Sequence, residues 1–165
     1  MGVTLLRHTT PEVAAGTCYG RTDLALPQGF EAEADAALAR LARPSEVISS
    51  PLTRCRRLAE RAAARFGVRL RLVPGWIEMD FGRWEGRAWD AIPRAELDAW
   101  AADFHGFAGH GGESVAELAA RISGALAAAP DAALVVTHAG CIKAALVAAG
   151  DPAGWDARPG FGEAR

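Results

Sequence analysis

No segment of this chain has the apolar length needed to cross a bilayer. The longest candidate, the alanine-rich stretch around residues 139 to 149, is interrupted by Lys143. The N-terminus lacks the basic start, long apolar run and cleavage site of a secretory leader, so a reducing cytoplasm is the expected compartment. Cysteine is sparse. Cys18, Cys55 and Cys141 are odd in number and widely spaced, which argues against a disulfide framework and against a metal cluster. There is no excess of positive charge either: with a formal net charge of −2 and a pI near 6.1, the chain has no general attraction for polyanions. Nucleic acid is therefore not an expected partner, and any affinity for phosphate must come from a few arginines gathered in one place. No internal repeat, low-complexity tract or interdomain linker divides the sequence.

What remains is a chain of 165 residues, half of them apolar, which suits one domain with a sizeable core over residues 1–165. Hydrophobic patterning alternates between two periods. Residues 3–6 read as a short buried strand that stops abruptly on Arg7-His8, followed by two threonines and a proline. Helical spacing of Phe30, Ala34, Ala37, Leu38 and Leu41 follows, then a strand at 46–48. A helix over 52–66 is expected next, with Ser50 as N-cap and Pro51 at its first position. Residues 69–73 form a third strand, a tryptophan- and glycine-rich loop runs to Gly86, and a helix is expected over 90–104. Ser114 and Glu117 make a capping box opening a helix to about residue 129. Residues 132–136 read as a strand ending at Thr137-His138, and a last helix starts near Gly140. This order implies an α/β protein, a three-layer α/β/α sandwich with a mostly parallel sheet.

Strand ends of a parallel sheet share one edge, beside helix N-termini whose free N–H groups favour anions. That edge would gather Arg7, His8, Arg54 and His138, and arginine suits phosphate because its planar guanidinium holds two oxygens at once and stays charged. Taken singly, a strand-end histidine is more often structural, and Arg54 amid Arg56, Arg57, Arg61 and Arg65 could belong to a solvated helix face. Their convergence favours a site. Trp76, Trp84, Trp89 and Trp100 read as partly buried packing residues rather than a platform for bases. Residues 103–112, "DFHGFAGHGG", read as a mobile glycine-rich flap whose His105 and His110 are expected to face solvent.

The segments "LLRHTTP", "SSPLTRC", "IEMDFGRWEG", "GGESVAELAARI" and "VVTHAGCIKAAL" resemble, in order and context, the histidine phosphatase (phosphoglycerate mutase-like) superfamily over most of residues 3–149. Within it, "GTCYGRTDLAL" and "EMDFGRWEG" are most similar to the α-ribazole phosphatases of cobalamin nucleotide-loop assembly. The resemblance implies that His8 is a nucleophile that becomes phosphorylated. It implies further that Arg7 and Arg54 hold phosphate, that His138 is the second pocket histidine, and that Glu78 donates a proton to the leaving alcohol. No cofactor or metal is implied. Asp80, two residues on, is the rival acid and is expected to point away from Glu78. Arg21, in "YGRTD", is a candidate substrate ligand, and Glu113 would tie the flap to the pocket. Thr9 stands where the superfamily more commonly has glycine, and the chain closes soon after its last helix, so that either the final strand of the fold is abbreviated or the sequence stops short of it.

The expected activity is phosphomonoester hydrolysis. The alternatives are the same chemistry on a broad set of small metabolites, a mutase-type transfer, or a non-catalytic phospholigand or phosphoprotein-signalling module. The expected partner is a small phosphorylated metabolite, with no membrane or nucleic acid; a homodimer stays open.

Overall fold

The computed structural model describes residues 2–165. Four parallel strands, β1 (Thr4–Arg7), β2 (Val47–Ser49), β3 (Leu70–Leu72) and β4 (Leu134–Thr137), form one sheet in the order β1-β4-β2-β3. Alternation sends successive residues to opposite faces. Leu5, Ile48 and Val135 pack under α4 (Val115–Ala127) and α5 (Ala139–Ala148). Leu6, Val47, Leu134 and Val136 pack under α1 (Phe30–Leu38) and α2 (Thr53–Phe66). Helices thus cover both faces, giving the three-layer sandwich that the alternating pattern predicts. β4 is buried along its whole length, which explains its uninterrupted apolar run. No helix among the described residues is long and apolar enough to cross a membrane.

Element ends differ from the sequence expectation where local chemistry intervenes. The helix expected over 90–104 is a 3-10 turn (Trp89–Ala91) followed by α3 (Arg94–Ala102). Pro93 disfavours helical geometry in the residue before it, and Ile92 is accordingly extended. Ser50 does not cap α2. The N-cap position is Leu52, and the Asp23 carboxylate accepts from the Thr53 amide (2.8 Å) and hydroxyl (2.7 Å). The Ser114–Glu117 capping box forms as expected. At the far end of the chain Ala164 bridges Leu6 antiparallel, with mutual backbone hydrogen bonds between Leu5 and Arg165 of 2.7 and 2.8 Å. These residues run antiparallel along the edge of β1.

A third apolar cluster forms outside the sandwich. Buried Cys18, Trp84 and Ile92 gather Phe81, Trp89, Leu97, Trp100 and Phe107 around them. This cluster builds one wall above the C-terminal ends of the strands.

Candidate active site

Register brings the two histidines together. Arg7 pairs with Thr137 across β1 and β4, so His8 and His138 follow at adjacent strand ends, and the His8 amide donates to the Thr137 carbonyl (3.0 Å). Their rings meet edge to face with centroids 5.3 Å apart. His8 Nδ1 lies 2.7 Å from the Thr9 carbonyl oxygen. A carbonyl can only accept, so Nδ1 carries the hydrogen and Nε2 keeps a free lone pair. Burial, followed by the nearby Arg54 charge, pushes the His8 pKa down to about 3, Arg7 adding a smaller push. The nitrogen is therefore a neutral nucleophile at physiological pH. His138 is likewise pushed well below the ordinary histidine range, chiefly by burial and then by His8 and the arginines. Its Nε2 lies 2.8 Å from Ser50 Oγ, and this is the use to which the expected cap serine is put.

The two arginines differ in placement. Arg7 lines the cavity, its Nη1 donating to the Pro159 carbonyl (2.8 Å) and its guanidinium lying 3.9 Å over the Phe161 ring. Arg54 is fully buried, with its two terminal nitrogens donating to the Thr22 and Gly20 carbonyls. Arg7 Nε, Arg54 Nε and the Thr9 hydroxyl are buried without a hydrogen-bond partner. A buried donor left unpaired is costly, and three beside one imidazole form an environment that an anion would satisfy.

Glu78 enters from the loop after the 3-10 turn Pro74–Trp76. Its Oε1 accepts from the Met79 amide (2.9 Å) and its Oε2 from the Gly140 amide (3.1 Å) in the first turn of α5. A Cβ at position 140 would come within 2.4 Å of Glu78 Oε1, so any larger residue there would displace the carboxylate. The loop backbone is held from several sides. Arg121 Nη1 donates to the carbonyls of Gly75 (2.9 Å) and Ile77 (2.7 Å), and the Thr137 hydroxyl donates to that of Trp76 (2.8 Å). Glu113 accepts two hydrogen bonds from Arg121 (2.9 and 2.7 Å), and its amide donates to the Asp80 carbonyl (2.8 Å).

Asp80 faces a separate recess with Arg21 and Glu113, and its carboxylate accepts from the Gly82 amide (2.8 Å). Strand alternation would return residues 78 and 80 to the same face. The separation comes instead from the turn that Asp80 itself caps. Arg21 does not line the main cavity. Its Nε donates to the Glu78 carbonyl (3.4 Å) and its Nη2 lies 3.6 Å from Glu113.

The cavity that His8, Arg7 and Glu78 line has a volume of about 450 Å³ and is mostly apolar, with Tyr19, Phe81, Trp89, Trp100, Phe104 and Trp155 on its walls and Lys143 among them. Trp76 and Trp84 are fully buried core, but Trp89 and Trp100 are half-buried cavity walls, stacked with centroids 6.1 Å apart. The glycine-rich segment is exposed along most of its length and packs at its end. A Cβ on Gly112 would fall 2.1 Å from the Asp80 carbonyl oxygen, so its glycine serves close backbone approach. His110 is buried against Trp84 with its Nδ1 accepting from the Gly112 amide (2.9 Å), contrary to its expected exposure; His105 does face solvent. Among the described residues no three His, Cys, Asp or Glu side chains are grouped to hold a metal ion.

A family model for the Histidine phosphatase superfamily (branch 1) matches residues 3–158. Among solved structures, TTHB049 from Thermus thermophilus is 32% identical over 99% of this chain and 91% of its own, with a TM-score of 0.80. A phosphoglycerate mutase from the same organism is 31% identical over 99% and 91% of the two chains, with a TM-score of 0.79. A mycobacterial glucosyl-3-phosphoglycerate phosphatase is 26% identical over 96% and 85%, with a TM-score of 0.81. No curated protein matches the chain.

Proposed function

The chain belongs to the histidine phosphatase superfamily, and from that premise we propose that it is a metal-independent phosphomonoesterase working through a phosphohistidine. The observation that carries the reading is His8: a neutral imidazole with Nδ1–H fixed on the Thr9 carbonyl, Nε2 free, and three unpaired donors around it.

The steps follow from these groups. His8 Nε2 attacks phosphorus in line, the N–P bond forming as the ester P–O bond breaks, while Arg7 and Arg54 stabilise the charge on the equatorial oxygens. The Thr9 carbonyl accepts a stronger hydrogen bond from Nδ1 as the ring gains positive character. His138, buried against the His8 ring, backs the nucleophile. An alkoxide leaves poorly, so Glu78 gives it a proton and then, as carboxylate, takes one from the water that attacks the phosphohistidine. The products are an alcohol and inorganic phosphate. A module that only bound phosphate would have no use for a carboxylate in the same cavity as the nucleophile.

The finer reading of the substrate is α-ribazole 5′-phosphate or its cobamide-bound form. The "GTCYGRTDLAL" and "EMDFGRWEG" segments support it, as does the stacked Trp89–Trp100 wall, which suits a planar heteroaromatic ring. A second reading, an acidic phosphorylated metabolite, is favoured by the Lys143 ammonium in the same cavity.

The test is a phosphatase screen of the purified protein against a metabolite panel including α-ribazole 5′-phosphate, run with and without a chelator and with His8→Ala beside wild type. Turnover should be indifferent to the chelator and fall by on the order of a thousandfold in the variant. Brief exposure to substrate should leave an acid-labile phosphate on His8. Undiminished turnover in His8→Ala would remove the proposal.

A further inference from the structure

Lys143 is the only lysine among the 18 lysine and arginine residues of the chain. It stands on α5 one turn beyond Gly140, and its side chain lines the cavity that holds His8 and Glu78. The phosphatase mechanism gives it no task, since phosphate has the arginines and the leaving oxygen has Glu78. Among the described residues its ammonium has no hydrogen-bond or ion-pair partner. Trp100, Phe104, Leu118 and Trp155 on the wall of that cavity carry no carboxylate, and the one acid that lines it, Glu78, already accepts from the Met79 and Gly140 amides. An ammonium in such a place is stabilised when it meets a charged acceptor, and the apolar wall strengthens that attraction by lowering the local dielectric. Lysine also differs from arginine in kind: a compact charge on a flexible stem reaches one oxygen of a group whose position varies between ligands.

The geometry points to a second anion subsite, in which Lys143 binds a carboxylate or a second phosphate carried by the organic part of the substrate. This rests on the phosphatase reading and gives preference, among its substrates, to esters whose leaving alcohol is itself anionic. An ester with an uncharged alcohol, free α-ribazole 5′-phosphate included, draws no benefit from Lys143.

Two aryl esters test it: phenyl phosphate and 4-carboxyphenyl phosphate. In Lys143→Met the ratio of kcat/KM for the carboxylated ester to that for the plain ester should fall roughly tenfold to hundredfold, the worth of one charge-assisted hydrogen bond. Lys143→Arg should restore most of it. An unchanged ratio, or an equal displacement of both pH profiles, would overturn the subsite and assign Lys143 to Glu78 instead. A second measurement is independent of turnover and of the variant's folding. Reductive methylation with a carbon-13 label keeps the charge and marks only this lysine and the chain terminus. Its resonance should move with 4-carboxyphenylphosphonate and not with phenylphosphonate, neither of which can be hydrolysed. Equal response to the two phosphonates would refute the subsite even in a protein that hydrolyses neither ester, the outcome that refutes the phosphatase reading itself.

Discussion

His8 and His138 meet edge to face at the ends of neighbouring strands, ring centroids 5.3 Å apart, and both are held neutral by burial and by the arginines around them. A lowered pKa has a definite consequence for stability. Below pH 6.5 the unfolded chain takes up protons on these residues and the folded protein does not, so stability present above that pH is lost as the pH falls toward about 3.

Between pH 7 and pH 5 His8 alone should remove about 2 kcal/mol from the unfolding free energy. Urea unfolding at the two pH values should show a dependence smaller by about this amount in His8→Gln than in wild type, the remainder belonging to His138. The His8 and His138 ring resonances should stay still over the same range. Movement of either resonance with an ordinary histidine midpoint would contradict the buried, neutral pair.

A second prediction concerns Arg121, which touches no cavity surface yet holds the Gly75 and Ile77 carbonyls just before Glu78. It is a positioning residue, and its anchor is the bidentate pair with Glu113. Arg121→Met should slow turnover of alkyl phosphates roughly tenfold to hundredfold, the cost of misplacing a catalytic group by about an ångström. An aryl phosphate with an acidic phenol needs little protonation and should lose less. Arg121→Lys should not rescue, because a single ammonium cannot reproduce the fork. Equal losses on the two esters would mean that Arg121 merely stabilises the fold.

The sandwich was legible because its signals are local and mutually consistent. Leu5 and Leu6 face opposite layers, β4 reads as one buried run, and Ser114 with Glu117 announces α4. The convergence of His8 and His138 followed from strand ends sharing an edge. What escaped were groups whose role depends on distant partners. Ser50 has the chemistry of a cap, but its hydroxyl is taken by His138, 88 residues away in sequence. His110 sits in a polar, glycine-rich stretch that reads as solvent-facing, and only the cluster around Trp84 buries it. Arg21 reads as a ligand because it is a cation near the motif; its contacts with the Glu78 carbonyl and Glu113 depend on loops more than fifty residues away in sequence. Lys143 gave no warning at all, since one cation on an alanine-rich helix carries no periodic signal.

The last prediction separates Glu78 from Asp80. Glu78 lies in the cavity with its carboxylate steadied by the Met79 and Gly140 amides, while Asp80 faces another recess and caps a turn. On the proposed mechanism Glu78→Gln keeps the shape and removes the transferable proton. It should cost roughly a hundredfold to ten-thousandfold in turnover of alkyl phosphates, the range of general acid catalysis. Asp80→Asn leaves the proton donor intact and should cost much less. Changing the leaving group sharpens the contrast. A phenol acidic enough to depart as its anion needs no donor, so the first step should recover in Glu78→Gln with such an ester. The second step does not recover, because water attacking the phosphohistidine still lacks its base. Phenol should therefore appear in a burst of about one equivalent per active site before a slower steady state. Phosphate should accumulate on His8 over the same interval, visible as acid-labile label. If Asp80→Asn gives the burst and Glu78→Gln behaves like wild type, the proton donor is the other carboxylate, and the placement of Glu78 in the cavity has no bearing on the chemistry.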